Sequence, residues 1–177
     1  MAKMISVREL KIDIPKEAKR LAELMLLDLE KSKRPVLEAV KASLDKYLWY
    51  YERSNNHGNA AKFAEKDRLK TSERLRKLQN DAKFDWTNND FLEQAADILI
   101  ECRYSLKYSY ALGFFMDDGP EKNLFEYLQG ELEVYTERLS GFLEAPLVEM
   151  SRPKILDNCV AVRQFLKNLE DGIKRGL

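Results

Sequence analysis

Apolar residues return every three or four positions along most of this chain, and one such run organises the rest. It spans 88–116 and reads N-N-D-F-L-E-Q-A-A-D-I-L-I-E-C-R-Y-S-L-K-Y-S-Y-A-L-G-F-F-M. Phe91, Ala95, Ile98, Cys102 and Leu106 fall on one face of a helix, and Leu92, Ala96 and Leu99 widen it. From Tyr104 onward, Tyr108, Tyr110, Phe114, Phe115 and Met116 cover the remaining sides. A helix apolar all round must be surrounded by protein or lipid. Arg103 and Lys107 interrupt the run, which argues against lipid. The pattern predicts the central helix of a bundle.

The flanking segments supply its neighbours. Ile5, Val7, Leu10, Ile12 and Ile14 alternate loosely with polar residues, as in a strand-like arm. A helix starts at Pro15 and runs to about Lys31, with Ala18, Leu21, Ala22, Met25, Leu26 and Leu29 on its apolar face. Pro35 breaks it and suits the first turn of the next. That next helix is predicted over 34–55, with Val36, Val40, Leu44, Tyr47, Leu48 and Tyr51 on one face and Trp49 and Tyr50 partly outside it. The run from Ser54 to Asn59 reads as a turn. A polar helix over 60–79 follows, with Phe63, Ala64, Leu69, Leu75 and Leu78 as its anchors, which places it at an edge. A connector over 80–89 carries Phe84 and Trp86, and Thr87 or Asn88 can cap the central helix. Beyond the stop at 117–120, a helix to about Phe142 shows Leu124, Leu128, Leu132, Tyr135 and Leu139. After Pro153 a last helix shows Ile155, Val160, Val162, Phe165, Leu166, Leu169 and Ile173. The fold class is all-α: a bundle of five to six helices around 88–116. An arm and extra helix occupy 1–35, and the bundle proper occupies 36–177.

Composition narrows the function classes. The chain has 177 residues, with 30 Lys and Arg against 30 Asp and Glu. Balanced charge gives a nucleic-acid surface no support. Lys62, Lys66, Arg68, Lys70, Arg74, Arg76 and Lys77 could track phosphates, but Glu65, Asp67, Glu73 and Asp81 interleave with them, so a solvated, salt-bridged face is expected. Cys102 and Cys159 sit in apolar helical patterns and read as buried thiols rather than as a disulfide or zinc site. Arg103 lies about 100° around the helix from Cys102, so it does not activate that thiol. His57 is the one histidine and lies in the predicted turn, so a bundle di-metal site, which needs Glu-x-x-His pairs, is excluded. Neither a phosphate loop nor a G-x-S-x-G elbow occurs. The expectation is therefore a surface-presenting domain with no catalytic residues, cofactor or metal, binding neither nucleic acid nor membrane. Without a secretory signal or long apolar span, a cytoplasmic or nuclear setting is expected.

Several blocks carry a more specific likeness. Tyr47-Leu-Trp-Tyr-Tyr-Glu-Arg-Ser-Asn-Asn-His57, the connector Trp86, and Cys102-Arg-Tyr-Ser-Leu-Lys-Tyr-Ser-Tyr110 occur in order. Gly119-Pro-Glu-Lys-Asn-Leu-Phe-Glu126 and Leu139-Ser-Gly-Phe-Leu-Glu144 follow. Over roughly 38–175 this resembles the Ariadne domain, the C-terminal bundle of Ariadne-type RBR E3 ubiquitin ligases; residues 1–35 match nothing in that family. The resemblance implies a regulatory module that folds back on the ligase's catalytic domain and covers its cysteine until a neddylated cullin–RING complex releases it. It also implies protein-binding roles for Phe63 and Glu137. The acid that follows the phenylalanine in the family is Ala64 here, and Glu65 is the nearest carboxylate. A scaffold or adaptor that recognises a partner protein or peptide without any ligase is the competing expectation.

Overall fold

The computed structural model describes residues 16, 18–23, 34–78, 90–146 and 149–176. Four long helices carry the fold: α1 (Arg34–Leu78), α2 (Asp90–Phe115), α3 (Pro120–Glu144) and α4 (Arg152–Arg175). Residues 18–23 are helical too, and no strand occurs among the described residues. The protein is an all-α bundle, and α2 is the helix that packs against all three of the other long ones.

The helix ends follow local chemistry. Pro120 opens α3, where its missing N–H costs nothing, and Glu121 complements the positive end of the helix dipole. Ala145 is extended, as a residue before proline must be, and α3 stops there. α4 closes on Gly176, whose left-handed φ of 93° lets its N–H reach the carbonyls of Gly172 and Ile173. Asp90 and Glu93 lie in the first turn of α2.

Packing builds outward from α2. Leu92, Ala95, Ile98, Leu99, Cys102 and Leu106 form one side of the core. Phe125, Leu132 and Leu139 of α3 meet it at intervals of seven residues, as do Ile155, Val162 and Leu169 of α4. A seven-residue repeat keeps a seam in register between nearly antiparallel helices.

The structure corrects the sequence reading at four places. The predicted turn at 54–59 does not exist: α1 is continuous for 45 residues. Asn55, Asn56 and Asn59 are exposed, but Ser54 and His57 face inward and are partnered, Ser54 by the Lys107 carbonyl and His57 by Glu133, so tertiary bonds override the turn preference. Gly58 belongs to the same arrangement, since a Cβ there would meet the stem of Lys107 at 3.2 Å. The buried face of α1 is accordingly Tyr50, Ser54, His57 and Ala61, whereas Leu44 and Leu48 are 47% and 41% exposed. Leu124 and Val160 are also exposed, because Phe125 and Cys159 turn inward in their place. Finally, α2 is not wrapped on every side: Phe115 is exposed, and Phe91, Tyr104, Tyr108 and Met116 are half-buried. The strand-like arm, the core-facing Met25, Leu26 and Leu29, and the connector with Phe84 and Trp86 lie outside the described residues.

Phe125 is fully buried between α2 and its own helix. Phe125→Ala is expected to lower unfolding free energy by about 3–5 kcal/mol, with little change in denaturant slope, in urea melts followed by circular dichroism.

Candidate protein-docking groove

A polar seam runs through the interior beside the apolar core. Tyr50 donates its hydroxyl to Glu126 at 2.6 Å. One helical repeat further on, His57 Nε2 lies 3.1 Å from Glu133 Oε1. Both pairs are separated by 76 residues in sequence, so α1 and α3 run parallel in a single register across α2. Tyr110 donates to the other Glu133 oxygen at 2.5 Å and stacks on the His57 ring, with centroids 5.5 Å apart. Gln129 donates to Ser109 Oγ at 2.8 Å, and Ser109 donates to the Leu106 carbonyl.

Arg103 approaches the other side of the ring. Its Nη1 lies 3.4 Å from His57 Nδ1, and a guanidinium can only donate. That contact favours the tautomer with Nδ1 as acceptor and Nε2–H facing Glu133. The His57 bond holds the Glu133 carboxyl below the usual carboxylate range, with Tyr110 adding to it against the opposing effect of burial. Burial, then the Glu126 bond, pushes the Tyr50 hydroxyl up to about 12. Tyr110 is raised by burial and by Glu133.

Arg103 also faces outward. Its fork grips Glu137, with Nη2 3.0 Å from Oε2 and Nη1 against Oε1. The arginine side chain is 7% exposed and the glutamate 55%, so a buried cation holds a surface carboxylate. Beside this pair lies a groove of 460 Å³. Ala60, Phe63, Ala64 and Asp67 of α1 form one wall, Leu99 and Arg103 of α2 the floor, and Leu143 of α3 the other wall. Phe63 stands on the rim, 64% exposed.

The sequence-selected residues thus separate. Phe63 lines this groove, whereas Glu137 lies outside its lining and is tied to it by Arg103, which does line it. Glu65 does not join them. Two residues along a helix is a rotation of about 200°, and Glu65 instead accepts a bond from Tyr104 at 2.9 Å. Asp67, one turn after Phe63, lies on the groove, as does Glu144 of α3. Within the basic stretch, Arg68 bonds Asp97 of α2 and Lys70 bonds Asp67. Cys102 is fully buried, and burial pushes its thiol up to about 12; Cys159 is raised for the same reason. Sequence reasoning missed Tyr50, Ser54, His57, Arg103 and Gln129 as interior polar residues. A signal was present: Tyr50 and His57 are seven apart, and so are Glu126 and Glu133.

Parallel outer helices joined by a polar seam across a central helix, with an exposed aromatic beside a groove, define a helical bundle with the makings of a docking surface. The chain belongs to the Ariadne domain family, whose profile matches residues 45–172. It is 36% identical over 141 residues to E3 ubiquitin-protein ligase dbl4 of Schizosaccharomyces pombe, 77% of this chain. It is 34% identical over 148 residues to the probable E3 ubiquitin-protein ligase rbrA of Dictyostelium discoideum, also 77% of this chain. It is 30% identical over 158 residues, 85% of this chain, to E3 ubiquitin-protein ligase ARIH1 of Homo sapiens. The chain spans 28% of the length of each of these relatives.

Glu133 sets a pH dependence. Its folded carboxyl titrates below the ordinary value of 4.5, so the stability it contributes is present above that pH and lost as pH falls through the lower folded value. Acid-unfolding curves of Glu133→Gln should be flatter over this window than those of the unsubstituted chain. Iodoacetamide should label Cys102 at neutral pH only at the rate of global unfolding, measured by mass spectrometry of the native chain.

Proposed function

We propose that this chain is the regulatory bundle of an Ariadne-type RBR E3 ubiquitin ligase, working in the cytoplasm or nucleus. It docks on the catalytic domain of that ligase and covers the catalytic cysteine. A partner such as a neddylated cullin–RING complex draws it away. The bundle itself transfers no ubiquitin: its own cysteines are interior thiols, and its work is done by contact. The observation that carries this reading is that the exposed Phe63 shares a groove with Arg103, whose fork holds the surface carboxylate of Glu137 next to it. An exposed aromatic beside a fixed polar group has the makings of an interface hot spot. Autoinhibition of this kind is a two-state equilibrium, and a partner shifts it only by binding one state better than the other.

The chain added in trans should slow ubiquitin discharge by an RBR catalytic core that lacks its own bundle. Phe63→Asp should weaken that inhibition by about tenfold or more, and Glu137→Gln should weaken it as well. Discharge that stays unchanged at saturating chain would overturn the proposal.

A further inference from the structure

Arg103 has no part in the apolar core, yet it is nearly inaccessible. A buried cation of this kind persists only if it is partnered. Its partner is Glu137, which lies at the surface. Free on a helix, a glutamate samples many rotamers. Here both of its oxygens are held by one planar fork, and a bidentate fork fixes direction as well as distance. The fork is itself held from behind by His57, which leans on Glu133 and stacks on Tyr110. The position of the Glu137 carboxylate is therefore determined by the interior through a continuous line of contacts from α1, α2 and α3.

We propose that Arg103 is the positioning residue for Glu137, and that the bundle presents there a charge-neutral acceptor edge, read by a neutral hydrogen-bond donor set next to an apolar side chain. This rests on the docking reading given above. The cation and carboxylate cancel at close range, so little field extends into solvent, and a partner lysine or arginine would gain little from it. Each carboxylate oxygen keeps acceptor capacity beyond the fork, and that capacity faces outward. The groove beside it mixes charged residues, Asp67, Arg68, Lys70 and Glu144, with an aliphatic part, Ala60, Ala64, Leu99 and Leu143. It is this aliphatic part, next to Phe63, that suits an apolar neighbour of the donor. A lysine at 103 would keep the charge but lose the fork.

Four chains decide the matter: the unsubstituted one, Arg103→Lys, Glu137→Gln and the double variant. Each is titrated by calorimetry against the isolated catalytic domain of an Ariadne-type RBR ligase, at low and at high salt, after circular dichroism confirms its fold. The expected result is a loss of about tenfold for either single variant, and no further loss in the double one, as residues acting as a unit require. Affinity of the unsubstituted chain should change little with salt. Arg103→Lys binding like the unsubstituted chain while Glu137→Gln binds more weakly overturns the positioning role. A steep fall with salt overturns the neutral edge. A second measurement needs no partner and no change at Arg103: the guanidinium nitrogen resonances of Arg103 should be separately resolved in the unsubstituted chain and merge in Glu137→Gln. Merged resonances in both chains overturn the clamp. Resolved resonances without docking leave the clamp standing and sink the docking reading, together with the partner chemistry inferred from it.

Discussion

Two carboxylates of α3, reached across α2 by a tyrosine and a histidine of α1, fix how this bundle is assembled. Apolar burial drives the helices together, but it is non-directional and tolerates sliding. The Tyr50–Glu126 and His57–Glu133 pairs do not, since a shift of either helix by one turn would break both bonds at once and take their acceptors from the buried Tyr50 and His57. Losing partners inside a protein costs far more than the bonds contribute when made. The seam is thus a device for specificity laid over a core that supplies stability. The heptad repeats Phe125–Leu132–Leu139 and Ile155–Val162–Leu169 are that core.

This division explains what was legible in the sequence. The all-α class, the central position of 88–116, the ends of α3 and the start of α4 could be read, because apolar periodicity and proline record them directly. α1 was misread twice for one reason. Its inward face is Tyr50, Ser54, His57 and Ala61, which a search for apolar stripes passes over, while Leu37, Leu44, Leu48 and Leu69 sit outside. The cluster of Ser, Asn, His and Gly at 54–59 has the composition of a turn, and only partners on α2 and α3 make it a helix. Those partners lie tens of residues away, and no local rule contains them. The groove had the same history. Phe63 and Glu137 were chosen through a family likeness, Glu65 through adjacency in sequence. Helix geometry then set Glu65 on the flank of Tyr104 and placed Asp67 on the groove.

The docking reading and the interior are coupled by Arg103. Most interfaces place their specific contacts on side chains free to adjust. This bundle anchors Glu137 to a guanidinium that is itself part of the seam. The surface therefore carries information about the packing beneath it. A partner that shifts α1 against α3 would also disturb the acceptor edge, without touching Glu137. Release by contact at a distance needs no more than this, provided that the partner favours the shifted arrangement.

The unbroken course of α1 has a mechanical consequence. At about 1.5 Å per residue it is nearly twice as long as α2, and residues 37–46 run past the core almost wholly exposed apart from Val40. A rod of this kind transmits angle as well as distance. Adding or deleting one residue in that overhang would rotate whatever is attached upstream by about 100° relative to the Phe63 rim. Spacing before the core is thus a phase setting, and chain length there should be far less forgiving than in a loop.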